Sequence, residues 1–136
     1  MNDTLVQKIQ SAQRCIQRAR AIYQHHEQTF LENYDAQDAA VLNLIRLCEV
    51  TIDVANYLIK RDKLGIPASS GESFDLLAQS GRISQELARQ MRTMVGFRNL
   101  AVHQYHDIDY CIVIAIIQHA LNDVIAFLDC IIELER

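Results

Sequence analysis

Proline, glycine and tryptophan are scarce in this sequence, and their scarcity narrows the fold. The 136 residues include one proline, four glycines and no tryptophan, while 50% of the residues are hydrophobic. So few turn-forming residues are typical of helices joined by few loops. No stretch shows the alternation of apolar and polar residues that indicates a half-buried strand. The composition therefore predicts an all-α protein, with residues 1–136 forming a single domain.

The four cysteines lack the spacing of a metal site. Cys15, Cys48, Cys111 and Cys130 form no CxxC pair, and apolar residues flank each of them in the sequence. This pattern is typical of small buried side chains in a reducing compartment. We therefore expect no disulfide and no cysteine-bound metal.

A metal-carrying helical bundle is a weak alternative. His103, His106 and Asp107 are close in sequence, and His25–Glu27 offers a second cluster. The chain has neither the Glu-x-x-His pairs of di-iron bundles nor an HExxH motif. We predict that the protein uses no metal and no cofactor.

Signals for export or membrane insertion are absent. Met1–Thr4 lacks the basic and then apolar blocks that begin a signal peptide. The longest uncharged apolar run, Tyr110 to Ile117, is too short to span a bilayer, and His119 and Asp123 follow it. We expect a soluble, cytoplasmic protein with no membrane partner.

The net charge argues against a protein that binds polyanions through bulk charge, but the charge of one segment allows a local anion site. The formal net charge is −4, whereas proteins that bind nucleic acid through bulk charge are usually basic. The segment from Arg82 to Tyr105 has the opposite balance, since it holds four arginines against Glu86 alone. These cations form either a solvated helix face or part of an anion site.

Hydrophobic periodicity predicts four long helices and one short one. The first long helix has an apolar stripe from Leu5 to Tyr23, and the second begins at a cap formed by Asp35 or Asp38 and ends near Lys63. The pattern favours an up-and-down bundle, because few loop residues separate the helices.

Capping residues indicate where the remaining helices begin. A capping box that starts at Ser69 predicts the short helix, and Ser84 is a good N-cap for the third long helix. Asp107 or Asp109 begins the fourth long helix. The predicted fold is thus an all-α, up-and-down bundle of four long helices with one additional short helix.

The first and last long helices carry apolar residues on more than one stripe. On the last helix, Ile114, Ile117, Leu121 and Leu128 lie beside the residues expected to face the core. Either the core face is wide or this second stripe is exposed in a single chain. Exposed apolar surface commonly binds a partner, and we expect a homodimer.

Arg98, His103 and Tyr105 are the most informative residues of the chain. If the third long helix continued to Tyr105, Arg98 and Tyr105 would share its core-facing stripe. Asn99 and His103 are four residues apart, so the amide could orient the imidazole. Arg98 and His103 would point about 140° apart. A cleft between two subunits would bring both groups together.

These residue types suit RNA cleavage without a metal. The reaction must deprotonate a 2′-hydroxyl, stabilise a dianionic phosphorane and protonate the leaving oxygen. An imidazole exchanges protons at neutral pH, which favours His103 as the acid–base group. A guanidinium binds two phosphate oxygens, which favours Arg98 for transition-state stabilisation. Asn99 would position the phosphate or the imidazole. A structural role stays open for Arg98, which could pair with Glu49 or Asp53.

The pattern Arg-x4-His-x-Tyr, together with its flanks, resembles the HepT-like toxin branch of the HEPN superfamily. The flanks are MVGFRN from Met94, EVTIDVAN from Glu49 and GIPASSGESFDLL from Gly65, and the similarity runs from Ala39 to the C-terminus. The resemblance implies a helical homodimer with its catalytic cleft at the interface. It also implies a metal-independent endoribonuclease that is the toxin of a type VII-like toxin–antitoxin pair. Its partner would be an MntA-type nucleotidyltransferase that silences it by adenylylating Tyr105.

The main rival to a nuclease is a binding module. Such a helical subunit would dock a nucleotidyltransferase and hold its nucleotide or substrate through Arg98 and Tyr105, and it would cut no RNA. Substitution of His103 separates the two hypotheses, because a binding module tolerates the loss of the imidazole. A purely structural dimer would leave Arg98 unexplained.

Overall fold

The computed structural model describes residues 1–136 as an all-α, up-and-down bundle, as the sequence predicts. Its five helices are α1 (Asp3–His25), α2 (Tyr34–Asp62), α3 (Ser70–Gln79), α4 (Gln85–His103) and α5 (Tyr110–Leu134). A 3₁₀ turn, Tyr105–Asp107, connects α4 to α5. Within α5, a π-helical turn at Ile116–Ala120 separates the α-helical segments Tyr110–Ala115 and Leu121–Leu134. Neither turn was predicted.

Side-chain caps begin the helices where the sequence places them. Ser69, Ser84 and Asp109 accept backbone N–H groups of the first turns of α3, α4 and α5, at 3.2, 3.0 and 2.9 Å. Each cap satisfies one of the amide groups that a helix start leaves unpaired. The predicted caps of α3 and α4 are confirmed, and Asp109 rather than Asp107 caps α5.

The cap predicted for α2 is wrong. Asn33, not Asp35 or Asp38, is the N-cap, and its side-chain oxygen accepts the Ala36 N–H at 3.0 Å. Asp35 lies in the first turn, where its charge favours the positive end of the helix dipole. Asp38 is free for another contact, with Tyr105.

One hydrophobic cluster fills the centre of the bundle. Phe30, Phe74 and Phe127 are its largest fully buried side chains. The rings of Phe74 and Phe127 meet edge to face at a centroid distance of 5.4 Å, which joins α3 to α5. Helix α2 contacts α1, α3 and α4, so it occupies the middle of the fold.

The second apolar stripe predicted on α5 is buried within the single chain. Ile117, Leu121 and Leu128 are 3%, 0% and 2% exposed, and Ile114 packs against the core. The stripe is covered because α5 contacts both α1 and α4. The core face of α5 is therefore wide, and these residues give no support to a dimer.

Helix α5 is the one helix long and apolar enough to cross a membrane by length and composition alone. It is longer than the uncharged run seen in the sequence because it continues through Asp123 and Asp129. Phe127 and Ile131 on α5 are fully buried in the bundle. These two residues pack α5 against the core.

The prediction that the cysteines are buried is confirmed for two of the four residues. Cys15 and Cys48 are buried, but Cys111 is exposed and Cys130 is half-buried. Cys111 is exposed because it lies in the first turn of α5, one residue from the exposed Ile112.

Candidate active site

Arg98 lies on α4 and reaches both α2 and α3. Its Nη1 is 3.3 Å from Glu49 Oε1 on α2, and its Nη2 donates to Ser70 Oγ on α3 at 3.1 Å. The side chain is 17% exposed. Of the two partners considered from the sequence, Glu49 pairs with Arg98, whereas Asp53 pairs with Lys8 at 3.8 Å. These contacts fix the guanidinium at the edge of the bundle.

The guanidinium of Arg98 keeps unused hydrogen-bonding capacity. Its Nε is buried and has no hydrogen-bond partner. A guanidinium has five N–H groups, so the contacts to Glu49 and Ser70 leave further N–H groups on the two Nη atoms. An unsatisfied buried donor costs stability. A functional role is one explanation for such an unpaired group.

Cys48 lies beside Arg98, and its thiol stays neutral. The thiol donates to the backbone oxygen of Met94 at 3.5 Å. Burial raises the pKa of Cys48 to about 12, and the nearby charge of Arg98 lowers it by less. Because no thiolate forms at neutral pH, Cys48 does not neutralise the guanidinium.

His103 is the last residue of α4, and its imidazole is exposed. The Gln104 N–H donates to the Leu100 oxygen at 2.7 Å and closes the final turn. Since α4 is helical through His103, Arg98 and His103 point about 140° apart, as predicted. Within one chain these two groups therefore face different sides of α4.

Asn99 is exposed on α4, but no hydrogen bond joins its amide to His103. The orienting contact predicted from their spacing is thus absent from the single chain. No group of three His, Cys, Asp or Glu side chains is placed to hold a metal ion, which includes the candidates around His106 and Asp107.

Tyr105 lies beyond the end of α4, in the 3₁₀ turn. Tyr105 does not share a stripe with Arg98, because the helical continuation on which that placement depended stops at His103. The phenol is 43% exposed, and its hydroxyl donates to the carboxylate of Asp38 in the first turns of α2. This hydrogen bond is the main reason that the pKa of Tyr105 is raised well above its usual range.

The positive charge expected around the motif is neutralised in the fold. Arg82, Arg89 and Arg92 each form an ion pair with a carboxylate, on α2, α4 and α3 respectively. Arg98 likewise pairs with Glu49. For Arg82, Arg89 and Arg92 the structure favours an ion-paired surface over an anion site, whereas Arg98 is largely buried and keeps unpaired N–H groups.

Sequence reasoning missed a second group of cations. Arg14 and Arg18 on α1 and Arg46 on α2 line a cleft together with Glu49. The sequence contained a signal, since residues four apart on a helix share a face. Arg46 joins the two arginines of α1 only because α1 packs on α2, so its place in the cleft could not be predicted from the sequence.

An apolar groove of about 660 Å³ lies between α4 and α5. Its apolar lining consists of Met94, Phe97, Leu100, Ile112, Ile116 and Ala120. Gly96, Leu100 and His103 recur at steps of four and three, so His103 continues the groove-facing stripe of α4. Ile112 is 51% exposed. The groove is thus an apolar surface that the single chain leaves uncovered.

Comparison with known proteins identifies the family of this chain. The sequence model of the family "Ribonuclease HepT-like" matches residues 12–131, which include Arg98, His103 and Tyr105. The chain belongs to the HepT-like ribonuclease family. The resemblance inferred from the motif is confirmed.

Several relatives match this HepT-like protein over nearly its whole length. The mRNA nuclease HepT of Shewanella oneidensis is 44% identical over 131 residues, which are 96% of this chain and 98% of the relative. A structure of the tri-AMPylated Shewanella oneidensis HEPN toxin in complex with MNT antitoxin matches with a TM-score of 0.91 and 43% identity, over 96% of this chain and 98% of that one. YutE of Bacillus subtilis, at 18% identity and a TM-score of 0.77 over 94% of this chain and 88% of its own, shares the fold.

Proposed function

We propose that this HepT-like protein is the toxin of a toxin–antitoxin pair and cleaves RNA without a metal, in the cytoplasm, as a single domain. The relatives support the class of activity, since one is an mRNA nuclease and another is a HEPN toxin bound to an MNT antitoxin. One observation supports the assignment of Arg98 and His103 to the catalytic site. Arg98 is fixed by two neighbouring helices and keeps free N–H groups, while His103 is exposed at the end of the same helix.

A homodimer completes the site. Arg98 and His103 face different sides of α4 in one chain, so a single protomer does not direct both at one phosphate. A second copy packed on the apolar groove between α4 and α5 covers Ile112 and brings His103 to the interface. The two-fold axis then places the two His103 side chains close together, and Arg98, at the edge of the bundle, reaches the shared cleft from the other side of α4.

The shared cleft supplies every group that the reaction needs. His103 accepts the proton of the ribose 2′-hydroxyl as its oxygen bonds to phosphorus. The bond from phosphorus to the 5′-oxygen breaks, and His103 of the partner subunit protonates that oxygen. Arg98 stabilises the added negative charge of the phosphorane, and Asn99 positions the phosphate. The products are a 2′,3′-cyclic phosphate and a 5′-hydroxyl.

Adenylylation of Tyr105 silences the toxin. The antitoxin is an MntA-type nucleotidyltransferase, and the exposed phenol attacks the α-phosphorus of ATP while pyrophosphate leaves. The proton of the phenol passes to a base. AMP on Tyr105 adds a phosphodiester anion and a purine on the face of α2 whose Asp38 holds Tyr105 and whose Glu49 holds Arg98, so it competes with RNA phosphate for Arg98.

The test of this function is His103→Ala. We expect cleavage of a single-stranded RNA to fall about 10²- to 10⁴-fold, which is the usual contribution of a general acid–base group. His106→Ala is the matched control, because His106 is also exposed and lies three residues further on. Gel-based cleavage assays on the purified dimers give both rates. Full activity of His103→Ala would exclude His103 as the acid–base group, and absence of cleavage by the wild type would move the protein to the class of binding modules.

A further inference from the structure

Three arginines without ion-pair partners gather next to the proposed RNA site. Arg14 and Arg18 on α1 and Arg46 on α2 line a cleft of about 310 Å³, and all three are exposed. No carboxylate lies within ion-pair distance of any of them, whereas most other arginines of this acidic protein are paired. The cleft is therefore the main place where cationic charge is left uncompensated.

Two side chains connect this arginine cleft to its surroundings. Cys15 is buried beneath it, and the charges of Arg46, Arg18 and Arg14 each lower the pKa of that thiol, although burial raises it overall. All three guanidinium groups therefore lie close enough to Cys15 to act electrostatically on its thiol. Glu49 also lines the cleft, but its carboxylate is 3.3 Å from Arg98. The cleft therefore opens directly beside the proposed catalytic arginine.

The clustering has an electrostatic cost, and Glu49, the carboxylate that lines the cleft, is paired with Arg98. Arg14 and Arg18 are four residues apart, and like charges at this spacing destabilise a helix. Arg46 adds a third positive charge from the neighbouring helix. Uncompensated charge in a concave surface concentrates the field and attracts ions of opposite sign. The arrangement indicates an anionic ligand.

We propose that the arginine cleft binds backbone phosphates of the RNA that flank the cleaved phosphate. The proposal rests on the ribonuclease function and adds a second, non-catalytic part to the substrate site. Guanidinium groups bind phosphate oxygens in pairs. Three of them at one surface give an acidic protein the local charge needed to hold a polyanion.

The first experiment measures how RNA binding depends on salt. The triple variant R14Q/R18Q/R46Q is compared with its parent in a His103→Ala background, so that the RNA is bound but not cut. Fluorescence anisotropy with a labelled single-stranded RNA of about twelve nucleotides gives the affinity over a series of salt concentrations. Each phosphate contact contributes about 0.7 to the slope of log affinity against log salt. We expect the triple variant to reduce the slope by about 2.

The matched control removes three cations from the other end of the bundle. Lys60 and Lys63 lie near the C-terminus of α2, at least about 21 Å along that helix from Arg46. Arg136 is at the same end, because Glu135 beside it binds Arg61. We expect K60Q/K63Q/R136Q to leave the slope unchanged. Equal slopes for the two triple variants would overturn the proposal.

Stability tells a binding role from a structural one. Removing Arg14 and Arg18 relieves repulsion on α1, so the triple variant is expected to keep the melting temperature of its parent. If the triple variant misfolds, the single variants R14Q, R18Q and R46Q replace it, each with an expected slope change of about 0.7. No slope change in any folded single variant would overturn the proposal.

Cleavage of short and long RNA separates this proposal from the proposed function. With His103 intact, R14Q/R18Q/R46Q should raise the KM for a twelve-nucleotide RNA more than the KM for a dinucleotide, whose only backbone phosphate is the one that is cleaved, and should leave kcat for the twelve-nucleotide RNA unchanged. Failure of the wild type to cleave either RNA contradicts the ribonuclease function alone, and the salt slopes still decide the cleft. Unchanged RNA binding together with weakened binding of the antitoxin would make the cleft a protein interface and overturn the phosphate assignment.

Discussion

Both anchored groups of the motif are held by carboxylates of one helix. Asp38 accepts the hydroxyl of Tyr105, and Glu49 pairs with Arg98. Asp38 and Glu49 are eleven residues apart on α2, which places them within about 20° of each other around the helix axis. One face of α2 therefore positions two side chains of the motif that belong to different elements, helix α4 and the 3₁₀ turn.

Tyr105→Phe tests the modification at the residue scale. The phenyl ring keeps the shape of the side chain but removes the hydroxyl that accepts AMP. We expect the variant to cleave RNA as the wild type does and to escape silencing when the antitoxin is co-expressed. Intact mass and growth are measured together, and the wild type should gain whole AMP units and become harmless.

Tyr110 provides the control for that modification, since its hydroxyl lies close enough to raise the pKa of Tyr105. Tyr110→Phe should gain AMP as the wild type does. AMP on the Tyr105→Phe variant, mapped to another residue together with loss of toxicity, would show that Tyr105 is not the switch.

At the scale of elements, the end of α4 decides the geometry of the motif. Gln104 has φ −133° and ψ 51°, outside the helical region, and so stops the helix after His103. Tyr105 thereby turns toward α2 instead of continuing the stripe of Arg98. No proline or glycine marks this break in the sequence. The periodicity alone could not predict where the helix ends.

The start of α4 gives a stability prediction. Ser84 Oγ accepts the Leu87 N–H at 3.0 Å, and loss of an N-cap side chain costs about 1 kcal/mol. We expect Ser84→Ala to lower the free energy of unfolding in urea by about that amount, while Ser84→Asp keeps the cap and the stability. Unfolding of both variants at the same urea concentration would contradict the capping role.

At the scale of the whole molecule, one network of ion pairs joins residues that are far apart in the sequence. Asp62 at the end of α2 accepts Arg61 Nε at 2.8 Å, and Arg82 Nη2, from the segment before α4, lies 3.0 Å from it. Arg61 also binds Glu135 near the C-terminus. The hydrogen bond from Arg61 is the main reason that the pKa of Asp62 is lowered.

The lowered pKa of Asp62 predicts a pH-dependent contribution to stability. A carboxyl whose pKa is lower in the folded state stabilises the fold above its unfolded pKa of about 3.9, and this stabilisation is lost as the pH falls through the folded pKa. We expect Asp62→Asn to be less stable than the wild type near neutral pH. The difference should shrink on acidification below about pH 4.

Urea unfolding at a series of pH values measures that difference. Asp129→Asn is the control, because Asp129 is exposed and forms no ion pair. It should differ from the wild type by the same small amount at every pH. A constant difference for Asp62→Asn as well would contradict the network.

The sequence by itself determined the features that depend on neighbours a few residues apart. The five helices follow from apolar spacing, and the starts of α3 and α4 follow from Ser69 and Ser84. The motif of Arg98, His103 and Tyr105 together with its flanking segments was sufficient for the family. Helical periodicity, capping and motif spacing are local properties, so they can be read without a fold.

The tertiary structure decided everything that depends on pairs far apart in sequence. Either Asp35 or Asp38 was expected to cap α2, but the packing of the 3₁₀ turn made Asp38 the partner of Tyr105, 67 residues away. Ile117 and Leu128 became core because α5 lies between α1 and α4. Which charges stay unpaired was likewise settled by helix packing, since burial and ion pairing act through distance in space rather than along the chain.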